Sequence, residues 1–552
     1  MKRTKWTPLL LTTVLAAGLL QGCSQNNPEP GTSAANAGSK NAGTNSAAAK
    51  PENNLNKTGM PIVKEPIELT FFTGKAPTNS NDFENTLVWK EYAKQTNINV
   101  RFQLVPFDSL TEKRNLALAN GDYPDAFYSA RVPAPDLLKY GQQGVFLKIN
   151  DLIDEYAPNL KALLDKYPDL RKAITMPDGN IYSIPSFYSP EFLPMLIGTP
   201  LWVKKDWLDK LHMPEPTTTE QLYNYLKAVK NTDLNGNGQQ DEIPYSGTSI
   251  SPLIEQLMGA WGVGNRGLGH KFVDTDPASN ELRFYRLDPK FKEVLEYVSK
   301  LYQEGLIDPE TFTQKSDAFL AKAGKQTVGA TINPSPVTQF NGENYIGLGA
   351  LRGPHGDQMY SHIKVPMVWP GAFVITDKNK NPEATLRWID SFYGDEGATF
   401  YFMGQKGVTY DEKPDGTLEY KDEIRNNPDG LTLDQALIKY VTWIGGSYPA
   451  YAQQKYFKGS ESLPESVEAG KKAEPYWLKE LWYYFNFTED ETEFMQSTGK
   501  DIETYIKEAE AKFITGDVPF SEWDSYVSKV QSLGVEQYMN VYKTAYERYK
   551  NT

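Results

Sequence analysis

Cysteine and histidine are scarce in this chain. Among 552 residues the only thiol is Cys23, so an internal disulfide cannot form. The four histidines are scattered at no recognised metal-ligand spacing, and the H-E-x-x-H pattern of zinc hydrolases does not occur. The sequence therefore gives no sign of a metal site built from thiols or imidazoles.

Other catalytic signatures are missing or incomplete. The nucleophile pattern G-x-S-x-G is absent, and Gly324-Lys325 lacks the upstream glycine and the following Ser or Thr of a phosphate-binding loop. Gly262–Gly267 matches G-x-G-x-x-G, but the residues before it are predicted to be helical and no helix opens after it. Among 70 acidic residues, the sequence selects no pair at glycosidase spacing. We expect a protein that is not an enzyme.

Positive charge is in deficit. The chain has 57 Lys and Arg against 70 Asp and Glu, a formal net charge of −13, and it contains no basic block. Nucleic-acid-binding proteins show the opposite balance, because phosphate contacts depend on Lys and Arg. We therefore expect no nucleic-acid partner.

The N-terminus has the pattern of an export signal. Met1–Lys5 is basic, and the mostly apolar Trp6–Leu20 is too short to span a bilayer. Leu20-Gln21-Gly22-Cys23 then has the form of a lipobox, in which the thiol receives diacylglycerol and further acyl chains such as palmitate. We predict a lipoprotein signal peptide over residues 1–22 and a lipid anchor at Cys23 on the outer face of the cell membrane. The alternative is an ordinary signal peptide with an incidental cysteine.

Residues 23–60 consist largely of Ser, Asn, Ala, Gly and Pro, with almost no large apolar side chains. Such a segment cannot bury enough apolar surface to offset its chain entropy, so a disordered tether is predicted. At about 5–6 Å times the square root of its length, the tether reaches roughly 30–36 Å.

The stretch DLNGNGQQDE (Asp233–Glu242) places oxygen atoms at alternating positions, as calcium loops do. An EF-hand closes with Glu at position 12, which is Pro244 here, so Glu242 is the predicted closing ligand. The predicted ligands are Asp233, Asn235, Asn237, Gln239 through its carbonyl, Asp241 and Glu242. We predict one structural Ca²⁺, because one short loop supplies all the donors. The alternative is an Asn- and Gly-rich turn that binds nothing.

Strands alternate with helices at the start of the folded part. Ile67–Thr73 and Ile98–Val105 have the alternation of strands, and Asn85–Gln95 is predicted to be helical between them. Pro124–Tyr128 is predicted to be a short buried strand. This order predicts an α/β fold with a parallel sheet.

Two segments are interpreted as connections between lobes, Ile181–Phe187 as the first crossing and Gly371–Thr376 as the return. They predict lobe one over residues 61–187 with 371–445, and lobe two over residues 188–370 with 446–552, including the calcium loop. Apolar residues with helical period, such as Trp523, Tyr526 and Val530, predict a helix-rich C-terminus.

Four stretches resemble the extracellular solute-binding proteins of ABC sugar importers. They are WVKKDWLDKL…TDLNGNGQQDEIPY (Trp202–Tyr245), MPDGNIYSIPSF (Met176–Phe187), NPEATLRWIDSFYGDEG (Asn381–Gly397) and the C-terminal Asp501–Tyr549. The sequence is most similar to the LplA-like lipoprotein branch, to which calcium-containing alginate-binding proteins are similar. The resemblance implies a two-lobed periplasmic-binding-protein-like fold of the class II type that closes on its ligand.

Aromatic residues are abundant, with 33 Tyr, 25 Phe and 11 Trp. Sugar sites combine flat aromatic faces with a few polar groups, and rings in crossing or turn-rich segments are better candidates than rings at helical spacing. The candidate ligand-binding residues are Phe187, Tyr188, Trp261, Trp369 and Trp443. For an acidic sugar, Lys204, Lys205 and Arg266 are candidate cations by proximity alone.

The resemblance implies a lipid-anchored, monomeric receptor that captures an oligosaccharide and delivers it to an ABC permease in the membrane. The alternative is a surface-anchored polysaccharide-degrading enzyme, which would share the anchor, the acidity, the aromatic residues and the calcium loop.

Overall fold

The computed structural model describes residues 54–478 and 480–552. The predicted signal peptide, Cys23 and nearly all of the predicted tether lie outside the described residues. Within the described part, no helix is both long enough and apolar enough to cross a membrane.

The chain alternates strands and helices, as the sequence pattern predicts. Over the described residues, the strands are β1 Ile67–Lys75, β2 Ile98–Pro106, β3 Ala126–Val132, β4 Phe187–Tyr188, β5 Leu201–Lys204, β6 Ile243–Tyr245, β7 Val273–Thr275, β8 Leu282–Phe284, β9 Val328–Ile332, β10 Tyr345–Gly347, β11 Gly371–Ile375, β12 Tyr410–Glu412, β13 Leu418–Tyr420 and β14 Tyr451–Ala452.

The helices are most frequent in the C-terminal part. They are α1 Leu87–Thr96, α2 Phe107–Asn120, α3 Ala134–Gln142, α4 Asn150–Tyr156, α5 Pro158–Lys166, α6 Pro168–Ile174, α7 Leu193–Ile197, α8 Lys205–Lys210, α9 Thr219–Lys230, α10 Ser251–Leu257, α11 Pro289–Gln303, α12 Ser316–Ala323, α13 Pro336–Phe340, α14 Pro382–Asp390, α15 Asp395–Met403, α16 Asp422–Arg425, α17 Leu433–Leu437, α18 Pro464–Ala473, α19 Glu489–Phe494, α20 Lys500–Thr515, α21 Trp523–Ser532 and α22 Val535–Asn551.

The first lobe is built on a four-stranded sheet in the order β11-β3-β1-β2. β1 runs parallel to β2 and to β3, whereas β11 is antiparallel to β3. Helices of the N-terminal part and of the region after β11 pack on this sheet through a shared apolar core that includes Phe71, Trp89 and Trp388. The predicted strands and the parallel α/β arrangement of this lobe are therefore confirmed.

The second lobe is built on another four-stranded sheet, in the order β10-β5-β9-β6. β6 is parallel to β9, and β5 is antiparallel to β9 and β10. Its core includes apolar residues of α9 and α11 and of the C-terminal helices α20, α21 and α22. The predicted helix-rich C-terminus thus completes the second lobe.

Three chain segments lie side by side between the two sheets. Phe187 and Tyr188 of β4 pair in parallel with Tyr451 and Ala452 of β14. On the other side, Tyr188 N–H donates to the Pro366 carbonyl (2.8 Å). The lobes are thus joined by three adjacent crossings near residues 184–189, 365–369 and 448–452.

The interpretation of Gly371–Thr376 as the return crossing is wrong. Gly371–Ile375 is β11, a strand of the first sheet, and all five of its residues are buried. The return crossing is instead the segment just before β11, near residues 365–369. The physical reason is that the uninterrupted apolar run GAFVI suits a strand covered on both faces better than a connection at the surface.

The predicted lobe boundaries stay a prediction. The segment that follows β11, up to Phe457, contributes Trp443, Tyr448 and Tyr456 to the apolar core of the first lobe. We therefore propose that lobe one extends to about Phe457 rather than ending at residue 445.

Candidate functional site

The strands of the first sheet bring four side chains to one edge. Lys75 ends β1, Phe107 follows β2, and Arg131 is the second-last residue of β3. Trp369 precedes β11, whose first residue Gly371 pairs with Val132 at the same end of β3. In α/β folds, ligands bind beyond the carboxyl ends of parallel strands, which is this edge.

Arg131 lies between two aromatic rings at this edge. Its guanidinium carbon is 3.7 Å from the centroid of the Phe107 ring and 4.9 Å from that of Trp369. Burial lowers the pKa of Arg131, and its Nε has no hydrogen-bond partner among the described residues. Arg114 holds the end of β3 in place by donating to the Ala130 (3.0 Å) and Arg131 (2.7 Å) carbonyls. The edge thus offers a flat cation and an indole ring with free hydrogen-bonding capacity.

The backbone at this edge is strained and closely packed. Ser129 and Arg131 both have φ of +51°, a left-handed conformation that non-glycine residues rarely adopt. A Cβ added at Gly74 would lie 2.7 Å from Phe107 Cε1 and would collide with the Ser129 carbonyl oxygen. Strain of this kind costs about 1–3 kcal/mol per residue and is characteristic of ligand-binding positions.

A second group of polar side chains lies next to the crossings on the side of the second lobe. We call it the hinge recess; its residues are Tyr188, Lys364, Tyr448, Glu461 and Tyr484. The rings of Tyr188 and Tyr448 are 6.2 Å apart, and the charge of Glu461 acts on both hydroxyls. Lys364 is on the second crossing, where its N–H donates to the Leu196 carbonyl (2.9 Å), and Glu461 follows the third crossing.

The charged groups of the hinge recess are half-buried. Burial lowers the pKa of Lys364, and burial raises the pKa of Glu461; each is partly opposed by the other's charge. Tyr484 is 38% exposed, and its ring lies next to Gly269, where an added Cβ would be 3.5 Å from Tyr484 Cε1. A Cβ at Gly198 would collide with Lys364 Nζ, which explains the glycine there.

The structure brings only some of the predicted ligand-binding residues close to one another. Tyr188 belongs to the hinge recess, and Trp443 contacts its Tyr448 with a ring separation of 6.3 Å. Trp443 is nevertheless a buried ring whose Nε1 donates to the Phe402 carbonyl (2.9 Å). Trp369 is half-buried beside Arg131, and its carbonyl accepts from Ser186 N–H (3.0 Å).

The other two predicted residues are placed differently. Phe187 is fully buried and points away from Tyr188, with its ring 5.3 Å from that of Tyr451. Trp261 is buried in the second lobe, where its Nε1 donates to Glu293 (3.2 Å). Among the described residues, no hydrogen bond or ring contact of Trp261 reaches the crossings. Their role in ligand binding stays a prediction.

Sequence reasoning missed Arg131, Lys364, Glu461 and Tyr484. Arg131 and Lys364 had a usable signal, because each is a lone cation in an otherwise apolar or small-residue run next to a strand or crossing. Glu461 and Tyr484 lie in polar and aromatic segments that look ordinary, and only the fold brings them to the crossings.

The predicted calcium loop folds back on itself. Asp233 accepts from the N–H groups of Gly236 and Gly238, both at 2.8 Å. Glu242 Oε1 accepts from the N–H groups of Leu234 (2.6 Å) and Asn235 (2.9 Å). The loop precedes β6 and therefore lies at the amino end of that strand. Because β9 runs parallel to β6, the residues that follow β9 lie at the opposite end of the sheet.

The donor set of the loop fits a hard cation. Glu242 is 8% exposed, and its Oε2 is buried with no hydrogen-bond partner among the described residues. Three carboxylates, two Asn side chains and a backbone carbonyl are the oxygen ligands that calcium takes. Counting His, Cys, Asp and Glu alone, the described part of the chain contains no group of three arranged to hold a metal, so amide and carbonyl oxygens would have to complete this site.

The chain matches known proteins over most of its length. The family model for bacterial extracellular solute-binding proteins matches residues 77–399, more than half of the chain. The fructooligosaccharide ABC transporter substrate-binding protein FusA of Streptococcus pneumoniae is 29% identical over 531 residues, which cover 92% of this chain and 95% of FusA. Lipoprotein LipO of Bacillus subtilis is 22% identical over 495 residues, covering 86% of this chain and 91% of LipO.

Solved structures of the same kind of protein are similar to this chain as well. The structure of Streptococcus pneumoniae FusA in complex with kestose has a TM-score of 0.72 and 26% identity, and covers 88% of this chain and 100% of that chain. That of a FusA EF-hand mutant in complex with fructo-nystose has a TM-score of 0.71 with the same identity and coverage. The predicted two-lobed, periplasmic-binding-protein-like α/β fold is confirmed, and the chain belongs to the family of bacterial extracellular solute-binding proteins.

Proposed function

We propose that this protein captures an oligosaccharide between its two lobes and delivers it to the permease of an ABC transporter. The proposal rests on two sets of polar and aromatic side chains, one on each side of the crossings. On one side Arg131 lies against Trp369, and on the other Tyr188 donates its N–H to the Pro366 carbonyl and has its ring 6.2 Å from that of Tyr448. Hydrogen-bonding groups beside ring faces match the alternation of hydroxyls and C–H faces on a sugar.

The comparison with FusA supports the ligand class. FusA carries the name of a fructooligosaccharide-binding component of an ABC transporter, and its structure holds kestose. The similarity extends over both lobes, so the same place between lobes is available in this chain. Closing two lobes on a ligand is the usual motion of such proteins.

Calorimetric titration of the full chain in detergent tests the proposal. Kestose and nystose are the first ligands, followed by oligosaccharides of other linkages and by short peptides. We expect saturable binding of at least one oligosaccharide and none of the peptides. Binding of peptides alone, or of no oligosaccharide in a broad panel, would reject the proposed ligand class.

We propose further that the loop Asp233–Glu242 holds one structural Ca²⁺. The buried, unpartnered Oε2 of Glu242 supports this, and so does the existence of an EF-hand in FusA, for which a mutant is named. The calcium ion would neutralise carboxylates that otherwise face one another across a short loop. Asp233, Asn235, Asn237, Gln239, Asp241 and Glu242 would be the residues that hold it.

We also propose that Cys23 carries a lipid anchor that keeps the receptor at the outer face of the membrane. The lipobox Leu20–Cys23 supports this, and the relative LipO is named a lipoprotein. A single myristoyl-length chain binds membranes only weakly, so more than one acyl chain would be needed for stable anchoring.

The proposed function makes and breaks no bond. The competing candidate, a polysaccharide-degrading enzyme, predicts new reducing ends or unsaturated sugars after incubation with polysaccharides. We expect neither product, and the appearance of either one would favour the enzyme.

A further inference from the structure

Arg131 is a half-buried cation that has no polar partner in the protein. Among the residues that the structure describes, its side chain forms no hydrogen bond and no ion pair within 4.0 Å, and its Nε is buried. Asp136, a carboxylate five residues further along the chain, instead faces Arg114 at 3.7 Å. A charge withdrawn from water is unfavourable unless it is paired and hydrogen-bonded. The missing partner is therefore expected to come from a bound molecule.

Packing holds the guanidinium of Arg131 in one place. Its central carbon lies 3.7 Å from the centroid of the Phe107 ring and 4.9 Å from that of Trp369. Arg114 fixes the backbone below it by donating to the Arg131 carbonyl (2.7 Å). Because rings lie on two sides and Nε is buried, the guanidinium can donate to a bound molecule only along the edge that carries its two Nη groups.

The same two rings join Arg131 to the crossings between the lobes. Trp369 lies on the second crossing, and its carbonyl accepts from the N–H of Ser186 on the first (3.0 Å). A Cβ added at Gly445, shortly before the third crossing, would lie 3.9 Å from Phe107 Cε2. Arg131 is thus placed by direct contacts at the carboxyl end of the first sheet and beside the crossings, which is where α/β proteins of this kind bind ligands.

The backbone conformation of Arg131 is one that another residue would adopt more easily. Its φ is +51°, and four of the nine non-glycine residues with positive φ in the described part of the chain are asparagines. Asparagine enters this region more readily than arginine does, because its short side chain bonds locally. Backbone strain of this kind persists at sites where the side chain is needed for function. The arginine side chain is therefore what this position requires.

The shape of a guanidinium limits what can pair with it. It is planar and donates through a rigid fork, so it matches two neighbouring oxygen atoms at once, whereas the ammonium of lysine is a single point of charge. Two neighbouring hydroxyls of a neutral sugar unit offer such a pair of oxygens, and so does the carboxylate of a uronate. Both ligand groups share the feature that the fork recognises.

The cations named from the sequence lack this combination of features. Lys205 is paired with Asp209 at 2.7 Å, and Arg266 lies 3.9 Å from Glu480. Lys204 is buried in the second lobe, 5.1 Å from the centroid of the Trp207 ring.

We infer that Arg131 is a specificity-determining residue whose two Nη groups donate to a pair of neighbouring oxygen atoms on one unit of the bound oligosaccharide. The inference rests on the proposed function and names the group that the site selects. Phe107 and Trp369 are positioning residues for the guanidinium. A unit that lacks two free oxygens at this place is rejected, because it leaves the cation unpaired.

Calorimetric titration of the full chain with kestose, nystose and trigalacturonate tests the inference on the wild type and two variants. Arg131→Lys keeps the charge and loses the fork, so it should bind whichever of these sugars the wild type binds about 10- to 100-fold more weakly, as expected when a hydrogen bond to a charged group is lost. Arg131→Asn should lose at least as much affinity, yet its Tm should not fall below that of the wild type, because asparagine suits the backbone better. A purely structural role would lower both together.

Arg101→Lys is the matched control. Arg101 lies on β2 of the same sheet, is exposed, and forms ion pairs with Glu68 (3.1 Å) and Glu84 (2.5 Å). This variant should bind like the wild type. The choice of sugar identifies the source of the oxygen pair: a wild type that binds kestose or nystose uses hydroxyls, and one that binds trigalacturonate alone uses the carboxylate.

The outcomes separate the inference from the proposed function. A wild type that binds no oligosaccharide in the broad panel rejects both. A wild type that binds one of the three sugars while Arg131→Lys keeps its affinity rejects the inference alone, and so does an Arg131→Asn variant that binds normally or loses affinity and Tm in parallel. If Arg131→Lys does not fold, as judged by circular dichroism, Arg131→Asn decides.

Discussion

Calcium should stabilise this protein through the loop Asp233–Glu242, and removing one ligand should abolish the effect. In the structure Glu242 Oε1 already accepts from two backbone N–H groups, at 2.6 and 2.9 Å, while Oε2 is buried without a partner. Glu242→Gln keeps an acceptor for the N–H groups but replaces the free carboxylate oxygen with an amide. The variant should therefore fold without calcium about as well as the wild type.

The size of the calcium effect follows from linkage. A ligand that binds only the folded state at 100 times its Kd contributes about 2.7 kcal/mol to the free energy of unfolding. EF-hand sites of the sensor class have Kd values of about 10⁻⁷–10⁻⁵ M, so 1 mM calcium reaches or exceeds that ratio. For an unfolding unit of roughly one lobe, 1 kcal/mol shifts Tm by about 2 °C, which gives a shift of about 5 °C.

Differential scanning calorimetry in 1 mM calcium and in chelator measures this shift. The control is Asp276→Asn: Asp276 also accepts from two backbone N–H groups, of Ala278 (2.8 Å) and Ser279 (2.9 Å), but lies outside the loop. The wild type and Asp276→Asn should show the full shift and Glu242→Gln little of it, while sugar affinity in saturating calcium stays unchanged. Equal shifts in all three proteins, or no bound calcium by native mass spectrometry, would refute the calcium site.

Three further predictions follow from other parts of the chain. Trp369→Ala should lower oligosaccharide affinity by about 5- to 150-fold, since it removes a half-buried ring that contributes roughly 1–3 kcal/mol to binding. Trp443→Ala should instead lower the free energy of unfolding by about 3–5 kcal/mol, because its ring is buried. Calorimetry that finds the affinity loss in Trp443→Ala and the stability loss in Trp369→Ala would contradict this assignment. Asp390, whose pKa burial raises to about 6, holds its proton better in the folded state than in the unfolded one, where its pKa is near 4. The wild type should accordingly lose roughly 2 kcal/mol relative to Asp390→Asn as pH rises from 4 to 7, and urea titrations giving a pH-independent difference would contradict the shift. Cys23→Ser should release the protein into the medium or leave it unprocessed, and a variant of mature size that still fractionates with membranes would exclude the lipid anchor.

The strands of the first sheet could be predicted because their sequences carry the period of two. The run IELTFFT alternates as a strand does and forms the centre of β1, and INVRFQLV forms nearly all of β2. Boundaries were less accurate: the short strand predicted over Pro124–Tyr128 is β3, Ala126–Val132, which continues four residues further. Periodicity does not contain the information on where a strand loses its neighbour.

The ligand site was harder to predict than the fold. Phe187 and Tyr188 are adjacent in sequence and both are buried in the core of the first lobe, where alternation along β4 packs Phe187 against Tyr451 and Tyr188 against Tyr448. A single sequence shows which rings are available but not which of them the tertiary packing leaves uncovered.

Because the chain crosses repeatedly between the lobes, the order of synthesis limits when each lobe can complete its core. β11 pairs with β3 only after the entire sheet of the second lobe has been synthesised, since all four strands of that sheet lie between them in sequence. The second lobe in turn needs α20, where Glu510 forms an ion pair with Arg286 (3.0 Å) and the Phe513 carbonyl accepts from Ser299. Neither lobe can close its core on a growing chain until distant residues have emerged, and such non-local pairing is slow to form. We therefore expect both cores to close only late in synthesis.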